Sequence, residues 1–455
     1  MKTIYREIFD VAVIGGGVSG CAAAISAARN GARVILIEQN GYLGGALTAC
    51  GVGPMMTFHA GKKQVIKGFM QELVDRLVAR GYSVGHIPDT KQYTPTVTPF
   101  NSEGMKLILD EMASDAGVTI LFHTFVGAVE RDGNKITAVT VCNKDGINAL
   151  KARVYIDATG DGDIAAFAGV RYTKGRKIDG AAQPMTLKMK YCCVDNERLR
   201  AYILNNPDKF KALKGNFDLI KTSLGMDIEG FDEEFKSEKL AGRLSVRREN
   251  VLMFGTGRDG EYIINTTRII EKDATDALSL SEAETEGRKQ CAELDGFLRK
   301  YVPGFENALL EFTGPSVGVR GSRQIVGEHT LTEDDILTRR RFTDVIAHSS
   351  YPIDVHDPKG EGTHSRFISE KDNFYSIPYS VTVTREVENL IVTGRCVSAT
   401  FEAQAAIRTT PTVGSLGQAA GVAASIAART GESAFSIDIN ELQATLIKQG
   451  AYLDI

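Results

Sequence analysis

The sequence lacks the cysteine spacing of a disulfide framework, a structural zinc site or a resident iron–sulfur cluster. Its seven cysteines are odd in number and scattered along 455 residues, and no C-x-x-C motif occurs. Closely spaced cysteines are the usual ligands of zinc and iron–sulfur centres, and paired cysteines cross-link small secreted domains. We therefore expect reduced thiols and no metal ion in this protein.

Long apolar runs and a marked excess of one charge are also absent. No run approaches the length needed to cross a bilayer, and the N-terminus leads into a strand without the layout of a signal peptide. The formal net charge of -4 gives no general attraction for nucleic acid or anionic lipid. We expect a cytoplasmic protein that binds neither nucleic acid nor membrane.

Residues 10–20 read D-V-A-V-I-G-G-G-V-S-G and convert an apolar strand into a helix through a glycine turn. Four apolar residues in a row predict a strand buried on both faces, as in a parallel sheet. Gly15 and Gly17 allow a tight turn and close backbone approach, and Gly20 lets the helix lie against the strand. A second apolar run, 34–37, ends in Glu38.

This order of strand, G-x-G-x-x-G, helix, strand and acid is typical of a dinucleotide-binding site. The free N–H groups at the helix start bind a pyrophosphate, and Glu38 accepts hydrogen bonds from an adenosine ribose. The glycine-rich stretch 39–48 would then pass beside the dinucleotide, with a plain flexible loop as the alternative. The motif alone does not decide between FAD and NAD.

Two further stretches predict strands that end at the same edge of the sheet. Residues 154–156 lead into D-A-T-G-D at 157–161, and residues 389–393 lead into Gly394. In an open parallel sheet, ligands lie at the carboxyl ends of the strands. A helix at 412–430, rich in glycine and alanine, follows the second of these strands.

The chain is too long for one typical core, so we expect two or three domains. We predict an α/β protein with a discontinuous dinucleotide-binding domain, 1–171 and 380–455, that carries a small antiparallel sheet. Residues 172–379 would form an inserted α+β substrate domain, because strands and helices mix there without a second G-x-G-x-x-G motif. Local patterns predict helices at about 65–80 and 281–301 and a strand at 118–126.

The glycine motif, the strand end at 158–161 and the returning segment 390–430 resemble FAD-dependent oxidoreductases of the two-dinucleotide-binding-domain class. The sequence looks most like the FAD-oxidoreductase family that includes the flavoprotein core of heterodisulfide reductase, and more distantly like fumarate reductase flavoproteins. Further matching blocks lie at 42–48, 318–328, 351–356 and 394–400. The clustered cysteines of heterodisulfide reductase are absent, so its electron-bifurcating chemistry does not carry over. Phe401 stands where that family often has histidine.

The resemblance implies a Rossmann-like, glutathione-reductase-type fold with FAD as the cofactor. The helix that starts near Thr412 would direct its positive end at the pyrimidine edge of the flavin. The residues expected to contact FAD come from both ends of the chain: Ile14, Gly15, Gly17, Val18, Ser19, Gly20, Glu38, Gln39, Gly44, Gly45, Ala46, Thr48, Val126, Ala158, Thr159, Gly160, Gly394, Arg395, Gly414 and Leu416.

Three residues are candidates for the chemistry itself. Arg320 and Arg323 lie in a segment with few other charges, and arginine binds carboxylates bidentately. Ion pairs with Glu328 or Asp354 between domains are an equally supported alternative. His356 is a candidate proton relay, with a buried structural histidine as the alternative.

We expect hydride transfer between flavin N5 and a small organic substrate held between the two domains. The alternative is an FAD-binding electron-transfer subunit that works with an iron–sulfur partner protein. A single dinucleotide motif indicates no separate NAD(P)H domain, so electrons would come from the substrate, a carrier or a partner protein. The acidic net charge disfavours a nucleic-acid-modifying flavoenzyme. The sequence is compatible with a homo-oligomer.

Overall fold

The computed structural model describes residues 3–223, 225–368 and 373–455. The N-terminal part alternates strands and helices: β1 (Ile8–Ile14), α1 (Val18–Arg29), β2 (Val34–Ile37), β3 (Met55–Met56), β4 (His59–Ala60), β5 (Lys63–Gln64), α2 (Phe69–Ala79), β6 (Ile87–Pro88), β7 (Thr96–Thr98), α3 (Ser102–Asp115), β8 (Thr119–Leu121), β9 (Phe125–Asp132), β10 (Lys135–Asn143), β11 (Gly146–Asp157) and α4 (Asp163–Phe167). Within the described ranges, no helix combines the length and apolar character required to span a membrane.

The middle of the chain contains short strands and one long helix. Its elements are β12 (Tyr172–Lys174), β13 (Met189–Cys192), α5 (Asn196–Asn205), α6 (Phe217–Thr222), β14 (Ile228–Gly230), α7 (Asp232–Leu240), β15 (Val251–Gly255), β16 (Tyr262–Ile264), α8 (Ala277–Tyr301), β17 (Leu309–Thr313), β18 (Arg323–Ile325), α9 (Glu333–Leu337), β19 (Val345–Ser349), β20 (Ile353–His356), β21 (Thr363–Arg366) and β22 (Tyr375–Pro378). The chain ends with β23 (Leu390–Val392), α10 (Phe401–Ile407), α11 (Thr410–Thr430) and α12 (Ile439–Lys448).

The central sheet brings the predicted strand ends to one edge. β1 pairs in parallel with β2 on one side and with β11 on the other, and β11 also pairs in parallel with β23. The register places Ile14 opposite both Ile37 and Asp157, and Asp157 opposite Val392. Because these are the last residues of their strands, the carboxyl ends of β1, β2, β11 and β23 meet at one edge, which we call the ligand edge.

β11 also joins the parallel sheet to the predicted antiparallel one. Its first residues, 146–150, pair with β10, which in turn pairs with β9. Its later residues, 151–157, pair with β1. The accessory sheet is therefore a continuation of the central sheet along one strand.

Glycines set the distance between α1 and α11. Cβ atoms placed on Gly417 and Gly421 would lie 2.1 Å from the carbonyl oxygens of Ser19 and Ala23. No side chain fits at such a distance, so the two helices pack backbone against backbone. This packing holds the first turn of α11 near the ligand edge.

Buried apolar residues form separate clusters. One joins a face of the central sheet to α1, α2, α3 and α11, and a second lies on the other face beneath β9–β11. A third runs from Met185 to Val317. It lies within residues 172–379, which we call the inserted segment after the predicted insertion. Apolar residues between Leu331 and Val383 belong to the first cluster, and the division at 172–379 stays a prediction.

Three local predictions were wrong. α2 begins at Phe69 rather than near residue 65, because Gly68 precedes it at φ 60. The stretch 118–126 is broken by residues 122–124, which separate β8 from β9. α8 begins at Ala277 rather than at Ser281, because the Asp276 side chain accepts a hydrogen bond from the backbone of the first turn.

Candidate active site

One cavity of about 750 Å³ begins at the ligand edge and extends to the inserted segment. At the edge it is lined by the turn after β1 and by the residues that follow β2 and β11. Elsewhere it is lined by side chains from the inserted segment, among them Lys188, Arg248 and Arg320. A volume of several hundred Å³ is typical of small-molecule and cofactor sites.

The turn after β1 leaves room for a ligand to approach the backbone. Gly15, at φ +102, passes so close to β11 that a Cβ would lie 2.4 Å from Ala158 O. Gly17 has φ -65, and among the described residues the nearest non-neighbouring atom to its Cβ would be Gly45 Cα at 3.9 Å. Since Gly17 lines the cavity, this Cβ would occupy cavity space. We call Gly15, Gly17 and Gly45 the glycine cradle.

The start of α1 beside the cradle is suited to an anion. Gly17 is the N-cap, and no side chain of the described residues accepts a hydrogen bond from the first turn there. The first N–H groups of a helix have no partner within the helix, and their partial positive charge favours a phosphate. The cradle and the helix start together fit a pyrophosphate.

Glu38 directly follows β2 and is hydrogen-bonded to the glycine turn after β1. Its Oε2 accepts a hydrogen bond from Gly16 N at 2.6 Å, and its Oε1 accepts from Asn40 N at 2.7 Å. Burial raises the pKa of this carboxyl, and the hydrogen bonds from Asn40 and Gly16 partly oppose the effect. Glu38 thus has a fixed position on the cavity wall.

Asp157, the last residue of β11, is fully buried and organises the turn that follows. It accepts hydrogen bonds from the Thr159 backbone at 3.1 Å, the Thr159 hydroxyl at 2.7 Å and Ala165 N at 2.9 Å. Burial raises its pKa to about 6 despite these bonds. Asp161 pairs with Arg395 at 2.7 Å, so this acidic run holds the turn together. In the described ranges, no three His, Cys, Asp or Glu side chains are grouped to hold a metal ion.

Asp354 in β20 is the centre of a hydrogen-bonded group on the cavity wall. The Tyr93 hydroxyl donates to Oδ1 at 2.7 Å, and the Tyr351 hydroxyl donates to Oδ2 at 3.2 Å. His356 Nε2 and Arg408 Nη2 lie 3.3 and 3.4 Å from the same Oδ2. All five residues line the cavity, and we call them the Asp354 group.

These contacts set the charges in the group. Burial opposes the ionisation of Asp354, but His356 and Arg408 outweigh it and hold the pKa of the carboxyl below its usual value. Burial, together with Arg320, lowers the pKa of His356 to about 3. The neutral ring then donates from Nε2 to the Asp354 carboxylate, and Nδ1 accepts from the Thr363 hydroxyl at 3.1 Å.

A model of the FAD dependent oxidoreductase family matches residues 10–446. The chain belongs to this family. Its cofactor is FAD, and the glycine cradle, the start of α1 and Glu38 fit the pyrophosphate and adenosine ribose of that molecule. The predicted family and cofactor are confirmed at this level. The narrower resemblance to the flavoprotein core of heterodisulfide reductase stays a prediction.

Individual relatives match only parts of this FAD dependent oxidoreductase. The thiamine thiazole synthase of Methanothermobacter thermautotrophicus is 33% identical over 165 residues, which cover 34% of this chain and 57% of that protein. The digeranylgeranylglycerophospholipid reductase of Methanocaldococcus jannaschii is 26% identical over 177 residues, which cover 37% of this chain and 42% of that protein. The alignments thus span about half the length of these two relatives.

A solved structure supports the fold over almost the whole chain. The flavin-dependent brominase Bmp2 is 11% identical in sequence, with a TM-score of 0.52. The match covers 97% of this chain and 84% of the brominase chain. The predicted Rossmann-like α/β fold class is confirmed.

Most residues predicted to contact FAD come together on the cavity wall. Their contacts with FAD stay predictions. The residues placed there are Ile14, Gly15, Gly17, Val18, Ser19, Glu38, Gln39, Gly45, Ala46, Val126, Ala158, Thr159, Gly160, Gly394 and Arg395.

Five of the residues predicted to contact FAD do not line this cavity: Gly20, Gly44, Thr48, Gly414 and Leu416. Gly20 packs α1 onto the turn, where a Cβ would lie 1.8 Å from Gly15 O. Gly414 faces α2, where a Cβ would lie 2.1 Å from Met70 Sδ, and Leu416 is fully buried in the core. α11 turns its small residues toward α1 and α2, so Thr410 and Val413 form its part of the wall.

Gly44 and Thr48 fix the conformation of the loop after β2 and are not part of the surface that this loop presents to the cavity. Gly44 N donates to Gly16 O at 2.8 Å, and the Thr48 hydroxyl donates to Leu43 O at 2.7 Å. These bonds hold the loop against the glycine turn, so Gly45 and Ala46 are the residues that reach the cavity.

Two of the three catalytic candidates lie on the cavity wall, and the third does not. Arg320 and His356 line the cavity. Arg323 does not, because its guanidinium pairs with Asp163 at 2.7 Å and donates to Asp161 O at 3.0 Å. Arg323 therefore holds the turn after β11, and we assign it no catalytic role.

Several polar residues on the cavity wall were not predicted from the sequence, among them Tyr93, Lys188, Arg248 and Arg408. Tyr93 lies in a proline-rich loop, and Lys188 lies in an alternating stretch that indicates only a half-buried strand. Arg248 follows another arginine in a polar segment that predicts a solvated surface. No local pattern distinguishes these side chains from ordinary surface residues.

Proposed function

We propose that this oxidoreductase transfers a hydride between FAD and a small organic substrate bound in the part of the cavity lined by the inserted segment. The observation that carries the proposal is that the glycine cradle and the Asp354 group line the same cavity. A protein that only passes electrons to an iron–sulfur partner needs an accessible flavin edge rather than a lined substrate pocket. The alternative function is therefore less favoured.

On the cofactor side, the chain supplies positioning and charge. The start of α1 would hold the pyrophosphate, Glu38 the ribose, and the first turn of α11 has N–H groups that favour negative charge on a bound flavin. When bound, FAD supplies a hydride acceptor or donor at its N5 atom. The protein must then place the substrate and manage its protons.

The Asp354 group provides a route for a proton. His356 is neutral and its Nδ1 is unprotonated, so Nδ1 is the atom that would accept a proton, passed on by the Thr363 hydroxyl on the cavity wall, as the substrate is oxidised. The ionised Asp354 favours the imidazolium, against the burial and the Arg320 charge that lower its pKa. Burial raises the pKa of the Tyr93 and Tyr351 hydroxyls, with Asp354 adding to the effect, so both remain donors to the carboxylate. Arg408 completes the set of contacts that fixes Asp354.

The test is anaerobic reduction of the FAD-loaded protein by a panel of small organic acids, alcohols and amines. We expect at least one compound to bleach the visible flavin spectrum. The variant His356→Gln should bind FAD normally but be reduced about 10²- to 10⁴-fold more slowly, the usual contribution of a general base. Bleaching by a partner protein alone, with none by any compound, would contradict the proposal.

A further inference from the structure

Three buried cations on the cavity wall have no ionic partner within the described part of the chain. Lys188, Arg248 and Arg320 are only 6%, 8% and 9% exposed, and all three line the cavity. Among residues 3–223, 225–368 and 373–455, none of them lies within ion-pairing distance of a carboxylate. By contrast, the neighbouring cations Lys91 and Arg408 pair with Glu229 and Asp354.

Their hydrogen bonds are also incomplete. Within the described residues, Arg320 donates one side-chain hydrogen bond, to Pro184 O. Arg248 Nε is buried and has no partner within the described part of the chain. Lys188 Nζ lies 5.9 Å from the ring of Phe254. An unpaired buried charge is strongly unfavourable, and proteins normally pair such charges or use them to bind a ligand.

The acids that share this part of the wall do not neutralise the three cations. Asp354 is engaged by the Asp354 group, and Asp89 accepts hydrogen bonds from the backbone of Lys91, Tyr93 and Thr94. Glu229 pairs with Lys91, and Glu284 accepts from Val317 N at 2.8 Å. Among the described residues these acids have other partners, and the three cations line the cavity without a paired carboxylate.

We propose that Lys188, Arg248 and Arg320 bind an oxyanion group, a carboxylate or a phosphate, of the organic substrate. The inference rests on the proposed function and adds the chemical class of the substrate. Two guanidinium groups match the paired oxygens of such a group, and the lysine adds a compact charge. Bound there, the anionic group holds the substrate in the cavity that also contains the Asp354 group.

The site is tested by titrating the FAD-loaded protein with malonate and with inorganic phosphate at constant ionic strength, with neutral malonamide as the reference. Binding is followed by the flavin spectrum and by thermal unfolding. We expect saturable binding of at least one anion and none of malonamide. The stronger of the two anions distinguishes a carboxylate substrate from a phosphorylated one.

Variants assign the binding to the three cations. Arg248→Met and Lys188→Met each remove one unpaired buried charge, so both should fold and bind the anion at least about tenfold more weakly. Arg258→Met is the matched control, since this arginine is half exposed and pairs with Glu261 at the surface. It should bind the anion as the wild type does.

Three results would overturn the inference: no saturable anion binding, unchanged binding in both Arg248→Met and Lys188→Met, or anion binding only without FAD. In the last case, the cations would serve the cofactor. Because binding is measured without turnover, anion binding in a protein that no organic compound reduces would refute the proposed function and leave this site standing.

Discussion

Replacing Gly17 by alanine should separate the stability of the fold from the affinity for FAD. Gly17 has φ -65, which alanine adopts freely, and a new Cβ would come no closer than 3.9 Å to Gly45 among the described residues. The fold therefore has room for the methyl group. The cavity has no room for the methyl group once a pyrophosphate lies against the backbone at this position.

The substitution should raise the stability of the FAD-free protein and weaken the binding of FAD. Alanine at an unstrained glycine position stabilises the protein by about 0.4–1 kcal/mol, because the unfolded chain loses freedom. A methyl group forced into a packed interface costs about 1–3 kcal/mol. The dissociation constant for FAD should therefore rise about 5- to 150-fold in Gly17→Ala, while the protein without FAD becomes slightly more stable.

The assay pairs urea unfolding of the FAD-free protein with FAD titration followed by flavin fluorescence. Gly296→Ala is the matched control, because Gly296 lies on the exposed side of α8 with no atom near its Cβ position among the described residues. The control should gain similar stability and bind FAD normally. Unchanged FAD affinity in Gly17→Ala, or loss of its fold, would refute the reasoning.

Three further predictions follow from the packing and the charges. Gly417→Ala should lower the free energy of unfolding by about 1–3 kcal/mol, because its Cβ would meet Ser19 O; an unchanged urea midpoint would contradict the helix packing. Burial, together with Arg320, lowers the pKa of Lys188 from 10.5 to about 7, so anion affinity should fall as the pH rises through about 7. The unfolded chain keeps that proton up to about pH 10.5, so between pH 7 and pH 10.5 the wild type should become more stable relative to Lys188→Met as the pH rises. A difference in the free energy of unfolding that stays constant over this range would contradict the lowered pKa of Lys188. Asp354→Asn should slow flavin reduction about 10²-fold or more without weakening FAD binding; equal reduction rates would exclude its role.

The parts of the fold that sequence could predict are those with a local cause. The run of apolar residues before Gly15 makes a buried strand, and the glycine turn makes the next residues a helix, whatever lies elsewhere in the chain. Glu38 and the strand end at Asp157 follow from the same logic, because parallel strands deliver their carboxyl ends to one edge. The fold class and cofactor rest on these signals.

The side chains on the substrate side of the cavity are not predicted by any local sequence pattern. Tyr93 reaches Asp354 across more than 250 positions of sequence, and Arg248 is buried on the wall of a cavity whose lining comes from distant parts of the chain. Arg323 is three positions from Arg320 but faces the turn after β11, because Asp163 is available there. Partners of this kind are fixed by tertiary packing, which single-sequence patterns do not contain.

Helix α11 has some features that the sequence predicts and others that it does not. Its helical pattern and its end at Gly431 are readable from the sequence, and Gly431 caps the helix at φ 76. The direction of its small residues is not readable in this way. Gly414 faces Met70 and Gly417 faces Ser19, so these glycines serve helix packing.

We propose that FAD and an anionic substrate occupy one cavity, with the pyrophosphate of the cofactor on the glycine cradle and its flavin ring beside the inserted segment. The most direct test is an electron-density map of the FAD-loaded protein crystallised with malonate. We expect the pyrophosphate against Gly17, the flavin ring between the first turn of α11 and the inserted segment, and the anion on Lys188, Arg248 and Arg320. A flavin ring turned to solvent, away from these three side chains, would contradict it.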